Sequence, residues 1–266
     1  MPILLSPAES WAVRQMVFAG VLDELDREFA LLRLPYMPIK GAWLICAGIA
    51  GRLPDRDMLD IDLLVRPADF DKVTEHFLHH PRAAPRKNYW PFESSFYFGE
   101  SRVYVEIHRQ LNYPERFLLP PETLFARASP STGMRCLLLP DDALLVLACH
   151  ALVHIGIGLP ATIFEEIRLI TGQPGFSWDR FWKNADTTGI GGFIRLLMRW
   201  AGREAGGDLQ VSGRMPLYAA AWSRILTFKG YRAMPVFVRR ALLELPMMRD
   251  PVRFVLKIAF GQRAYS

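Results

Sequence analysis

Two aspartates and a glutamate stand in this chain at spacings that suit a divalent cation. Asp60 and Asp62 lie in the run Arg-Asp-Met-Leu-Asp-Ile-Asp-Leu-Leu-Val (residues 56–65), and Glu106 lies in Val-Tyr-Val-Glu-Ile-His (residues 103–108). On a strand, successive side chains point to opposite faces, so Asp60 and Asp62 share one face while Ile61, Leu63 and Val65 line the other. Two carboxylates so placed repel each other, and desolvating them is unfavourable unless positive charge sits between them. The pattern therefore reads as a cation site or as a solvent-facing strand edge. The second run alternates in the same way, with valine and isoleucine on one face and Tyr104, Glu106 and His108 on the other. Glu106 is thus a third carboxylate from a second strand. Upstream, Lys40-Gly41 follows Met37-Pro38-Ile39 and precedes a helix-like run from Ala42 to Ala50. A glycine opening a helix lets a phosphate approach backbone N–H groups, and the lysine adds a point charge.

Other polar residues carry two readings each. Arg56 suits a phosphate contact or a pairing with Asp57 or a strand carboxylate. His108 suits a structural hydrogen bond or the orientation of Glu106. His150 and His154 share a helix face, but Ala151 stands where a zinc-binding His-Glu-x-x-His motif needs glutamate. His76, His79 and His80 cluster near the end of a predicted helix, where interaction with its C-terminus explains them better than metal binding. Gly156-Ile157-Gly158 follows no strand and reads as a loop, not a dinucleotide fingerprint.

The elements that must position these groups follow from periodicity. Residues 7–33 read as a helix carried by Trp11, Met16, Val17, Val21, Leu22, Leu25 and Phe29, with Asp23, Glu24, Asp26 and Glu28 on its solvated face. A short strand leads into Lys40, the Asp-x-Asp strand ends near Arg66, and Pro67 opens a helix to His80. The segments 96–98 and 102–108 have the form of a hairpin, which makes Glu106 the product of an antiparallel neighbour of the Asp-x-Asp strand or of a strand close to it. After Pro140 the pattern is helical: Asp141-Asp142 suit a cap for 143–154, and helices are predicted over 164–170, 178–186 (capped by Ser177) and 193–205. The fold class is α+β, with a small mixed sheet and flanking helices in residues 1–135 and a helical, basic domain in residues 136–266.

The 266 residues, 51% apolar and 22% charged, exclude disorder as the default and allow a substantial core. Cys46, Cys136 and Cys149 form no C-x-x-C pair and read as buried thiols of a reducing compartment. No apolar run reaches the length of a membrane span and no signal-peptide pattern opens the chain, so a cytoplasmic location is expected. Residues 214–266 hold ten Lys/Arg against Glu244 and Asp250, a net +8 within a chain total of +5, which leaves −3 on residues 1–213. That basic segment suits an anionic partner or a solvated face.

The order Lys-Gly, 18 residues, Asp-x-Asp, then Val-Glu-x-His resembles the bacterial family of uncharacterised nucleotidyltransferases, within the wider DNA polymerase beta-like superfamily. The resemblance is strongest over residues 35–110. Two features depart from the superfamily's usual pattern, which has Gly-Ser at Lys40-Gly41 and aspartate at Glu106. The resemblance implies a metal-dependent transferase moving a nucleoside monophosphate from a nucleoside triphosphate to a hydroxyl or phosphate of a small molecule, peptide or protein. It further implies two Mg²⁺ (or Mn²⁺) ions on Asp60, Asp62 and Glu106, phosphate contacts from Lys40, Gly41 and Arg56, and acceptor or supporting roles for His108, His150 and His154. Hard oxygen donors agree with that metal. A non-catalytic nucleotide-binding or adaptor protein on the same scaffold is the alternative. An Asp-x-Asp glycosyltransferase is a weaker one, since about 59 mostly helical residues precede the motif, without a βαβ nucleotide-binding unit.

Overall fold

The computed structural model describes residues 7–53, 58–86, 91–112, 116–154, 162–204 and 209–213. Arg56, the Gly156–Gly158 loop and the basic segment from residue 214 onward lie outside the described residues. The chain forms two units, one from residues 1–111 and 120–139, the other from residues 112–119 and 140 onward.

The first unit is built on a five-stranded mixed sheet. Its strands are β1 (Tyr36–Pro38), β2 (Asp60–Val65), β3 (Ala83–Pro85), β4 (Glu93–Phe98) and β5 (Val103–His108), in the spatial order β1-β2-β5-β4-β3. β2 and β5 are parallel, and the other pairings are antiparallel. The hairpin expected from the sequence therefore exists between β4 and β5, but the strand carrying Glu106 runs parallel to the Asp-x-Asp strand rather than antiparallel to it. The reason is the order of the sheet: β5 is inserted between β4 and β2, and the chain between β2 and β5 returns to the starting end of the sheet before β5 begins.

Alternation divides the sheet into two chemically different faces. Ile61, Leu63 and Val65 align with Val105, Ile107 and Phe96 on one face. The helices α1 (Pro7–Leu32) and α3 (Phe70–Leu78) cover it, with Phe29 stacked on Tyr36 at 4.3 Å between ring centroids and Phe77 stacked on Phe96 at 4.6 Å. Both phenylalanines are fully buried, and truncating Phe77 to alanine would cost about 3–5 kcal/mol. α1 presents Trp11, Phe18, Val21, Leu22, Leu25 and Phe29 inward, whereas Met16 points to solvent. The 7-residue helix α2 (Lys40–Cys46) packs against β2 and sends its Trp43 Nε1 to the Leu138 carbonyl at 3.0 Å. Helix α4 (Pro121–Arg127) and a two-stranded ribbon, β6 (Ser129–Pro130) with β7 (Cys136–Leu137), complete the unit.

Asp26 departs from the solvated face expected of it. It is buried, accepts a hydrogen bond from the Tyr36 hydroxyl at 2.5 Å and pairs with Arg135. A helix-borne carboxylate can be turned inward only where a cation and a hydroxyl meet it, and both come from distant sequence. Of the three free cysteines, Cys149 is buried, and Cys46 and Cys136 are half-buried, with Cys46 beside Arg135 and not in a purely apolar setting.

The second unit holds helices α5 (Pro140–His154), α6 (Ile163–Thr171), α7 (Trp178–Thr187) and α8 (Gly191–Glu204). α5 is apolar on all sides because the other three pack around it. Ser177 caps α7 by accepting from the Arg180 amide at 3.3 Å, as its sequence position predicts. Asp141 and Asp142 lie inside α5 instead of ahead of it, and both are buried: Arg180 donates to Asp141 at 2.8 Å and Asn184 to Asp142 at 3.3 Å. Tertiary partners thus take the place of a helix cap.

Candidate active site

The parallel register sets Asp60 opposite Tyr104, Asp62 opposite Glu106 and Leu64 opposite His108. All six side chains project from the face not covered by α1 and α3. The antiparallel partner β4 adds Glu93 opposite His108 and Ser95 opposite Glu106. Asp62 is almost fully buried, whereas Asp60 and Glu106 are half-buried, so the pair of aspartates is graded from interior to surface along β2.

Lys40 reaches this face because β1 pairs with β2 and the pairing continues one residue further, the Ile39 amide donating to the Asp62 carbonyl at 3.0 Å. The next residue, Lys40, turns into α2 with φ of 52°, in the left-handed region that non-glycine residues seldom adopt. Its ammonium then lies 2.6 Å from Asp62 Oδ1. His108 Nε2 approaches the same oxygen at 2.9 Å and Glu106 Oε2 at 3.4 Å. Backbone strain of about 1–3 kcal/mol at such a position persists only where the surroundings hold it, and here a buried ion pair does so.

The electrostatics follow from burial and sign. Burial works to raise the Asp62 carboxyl, but the Lys40 charge and the His108 hydrogen bond outweigh it and hold the group well below the usual carboxylate range. Burial works against charged Lys40 and His108, yet Asp62, with Glu106 in support, leaves both above their ordinary values. Glu93 goes the other way: burial, reinforced by the Glu106 charge, pushes it up to about 7. Sequence reasoning missed Glu93. Its signal was its place on the strand preceding Glu106, but its pairing partner His108 is fixed only by register.

Ligating atoms of Asp62, Glu106 and His108 all lie within 4.8 Å of one another. The set offers two carboxylates and one imidazole, and its carboxylate oxygens are donors that a hard divalent cation takes. Gly41 is buried at the start of α2, next to Lys40. His150 and His154 belong to the second unit, where their rings lie 4.4 Å apart on α5.

Residues 4–204 match the family described as uncharacterised nucleotidyltransferase. The chain belongs to that family. Membership supports transfer of nucleotide groups, with a nucleoside triphosphate as the substrate. The matched stretch contains Lys40, Asp60, Asp62, Glu106 and His108, so this nucleotidyltransferase family spans the whole constellation described above. No curated protein and no solved structure matches the chain.

Proposed function

We propose that the chain is a metal-dependent nucleotidyltransferase of the DNA polymerase beta-like kind, which moves a nucleoside monophosphate from a nucleoside triphosphate to a hydroxyl or phosphate oxygen of an acceptor. The observation that carries this reading is the in-register pairing of Asp62 with Glu106 on parallel strands, with Lys40 at 2.6 Å from the same aspartate.

Asp60, Asp62 and Glu106 would hold Mg²⁺ or Mn²⁺. Bound there, the metal would supply charge neutralisation for the triphosphate and a lowered pKa for the acceptor hydroxyl. Lys40 grips the β- and γ-phosphates together with the backbone of Gly41, a role its position at the head of α2 supports. The new bond joins the acceptor oxygen to the α-phosphorus. The bond from the α-phosphorus to the bridging oxygen of the β-phosphate breaks, and pyrophosphate leaves. Glu106 accepts the acceptor proton, and His108, hydrogen-bonded between Asp62 and Glu106, fixes the direction in which that carboxylate points. Holding acceptor and α-phosphate in line contributes by proximity, and Lys40 contributes by stabilising charge on the leaving group. Arg56 is proposed as a further phosphate contact, and His150 and His154 as acceptor contacts.

The test is incubation of the protein with each labelled nucleoside triphosphate, Mg²⁺ or Mn²⁺, and a cell lysate, followed by tracing of label and pyrophosphate. Label transferred by the unaltered protein and not by Asp62→Asn or Glu106→Gln supports the reading. Nucleotide binding with no pyrophosphate release from any of the triphosphates would replace it with a non-catalytic binding role.

A further inference from the structure

A second group of metal-ligating side chains lies on the other side of the sheet. His76, on α3, and His80, just past its end, are four residues apart, and both direct a ring nitrogen at Glu28 of α1. His76 Nε2 is 2.9 Å from Glu28 Oε2 and His80 Nε2 is 3.3 Å from Glu28 Oε1. One ligating atom from each of the three residues falls within 4.8 Å of the other two. The helix C-terminus expected to account for all three histidines accounts only for His79, at the exposed helix end, whereas His76 and His80 share the carboxylate of Glu28.

We propose that Glu28, His76 and His80 form a transition-metal site of the zinc class that clamps α1 to α3. Spacing supports it first. Zinc bonds of about 2.0–2.2 Å to imidazole nitrogen and carboxylate oxygen, arranged tetrahedrally, set neighbouring donors about 3.4 Å apart. The histidine nitrogens stand at 2.9 and 3.3 Å from the two oxygens of Glu28, and zinc at His80 Nε2 requires that His80 Nδ1 give up the hydrogen bond it accepts from the Arg82 amide at 3.2 Å. Rigidity supports it second. The His76 ring meets Phe77 edge-on at 5.1 Å, and the His80 ring packs against Phe98 at 5.4 Å, so aromatic neighbours hold both imidazoles. Donor type supports it third. Two imidazoles and one carboxylate suit Zn²⁺, Co²⁺ or Ni²⁺ and disfavour Mg²⁺, which takes oxygen donors. All three residues are half-buried, which leaves a fourth coordination position for water. The two faces of one sheet then differ in metal preference, with hard oxygen donors around Asp62 and borderline donors behind it. Because the ligands come from α1, from α3 and from the turn that follows α3, metal bound there stabilises the packing of the two helices by mass action.

The test uses the full chain stripped of metal with EDTA. Zinc titration should show saturation of this site and raise the melting temperature by roughly 5–10 °C at free zinc about 100 times the dissociation constant. Cobalt should give visible d–d absorption, displaced by zinc. His76→Gln and His80→Gln should each weaken zinc binding by more than about 100-fold, beyond the loss typical of a supporting residue. Glu106→Gln, on the opposite face, should retain the zinc-dependent shift. An equal shift in both histidine variants, or its loss in Glu106→Gln alone, overturns the proposal and leaves ordinary hydrogen bonds at Glu28. Should the histidine variants fail to fold, modification of the unaltered protein by diethylpyrocarbonate decides the matter. Zinc must protect His76 and His80 while the exposed His79 stays reactive; failure to protect them overturns the proposal.

Discussion

Lys40 Nζ and His108 Nε2 meet on one oxygen of Asp62, at 2.6 and 2.9 Å, so a single buried carboxylate partners a lysine from the head of α2 and a histidine from the end of β5. Removing its charge strands both partners. Asp62→Asn is therefore expected to lose turnover and also to lose about 3 kcal/mol of stability, as buried pairs do when one member goes. Asp60→Asn, at a half-buried position on the same face, should lose turnover with a stability change under about 1 kcal/mol. Urea unfolding of the two variants beside their activities checks this; equal stabilities would contradict it.

Lys40 offers a second comparison because its φ is 52°. Lys40→Ala and Lys40→Gly both delete the ammonium and should both raise the KM for the nucleoside triphosphate. Glycine adopts this backbone conformation without steric cost, so Lys40→Gly should be more stable than Lys40→Ala by about 1 kcal/mol, the reverse of the usual order inside a helix. Denaturant midpoints measured side by side give the answer.

Glu106→Gln preserves size and hydrogen bonding while lifting repulsion from Asp62 and Glu93. Its stability should hold or rise slightly, and turnover should fall by orders of magnitude. Glu106→Asp should keep part of the activity. A destabilised but fully active Glu106→Gln enzyme would mark Glu106 as structural.

The metal-free protein should lose stability as pH rises through neutrality. Glu93, at about 7 when folded against an ordinary 4.5, binds its proton more tightly in the folded state, so its contribution is complete below about 4.5 and is lost as pH climbs through 7. His108, raised above 6.5, acts in the same direction at higher pH. Asp62 has the opposite sign, but its contribution fades only below about 4. Glu93→Gln should flatten the curve between pH 4.5 and 7 in EDTA-containing buffer; an unchanged curve would show that Glu93 ionises normally.

Much of the site was legible because two strands announced themselves by alternation, and alternation places Asp60, Asp62, Glu106 and His108 on faces without knowledge of neighbours. Strand order was not legible. The choice between parallel and antiparallel for β5 depends on which strand fills the gap beside β2, a tertiary outcome that local pattern does not encode. Glu93, Asp26 and the Glu28–His76–His80 group escaped for the same reason, since each takes its character from a partner at least ten residues away. Apart from α4, which falls where Pro120 and Pro121 suggest only a connection, the described helices were visible through their apolar periodicity, and their boundaries shifted by only a few residues.

The insertion of β5 between β2 and β4 has a consequence for synthesis of the chain. As the protein leaves the ribosome, β2 finds β1 on one side while its other edge waits for residues 103–108, nearly forty residues further on. A long-range parallel pairing of this sort forms late, and an unsatisfied strand edge invites pairing with other nascent copies. During that interval Asp60 and Asp62 keep charged side chains on β2, and charge on an edge strand disfavours pairing with a second copy of the same strand. The residues assigned here to nucleotide chemistry thereby also guard the half-made sheet against self-association, and their replacement by neutral residues is expected to show as lower soluble yield before any catalytic assay is run.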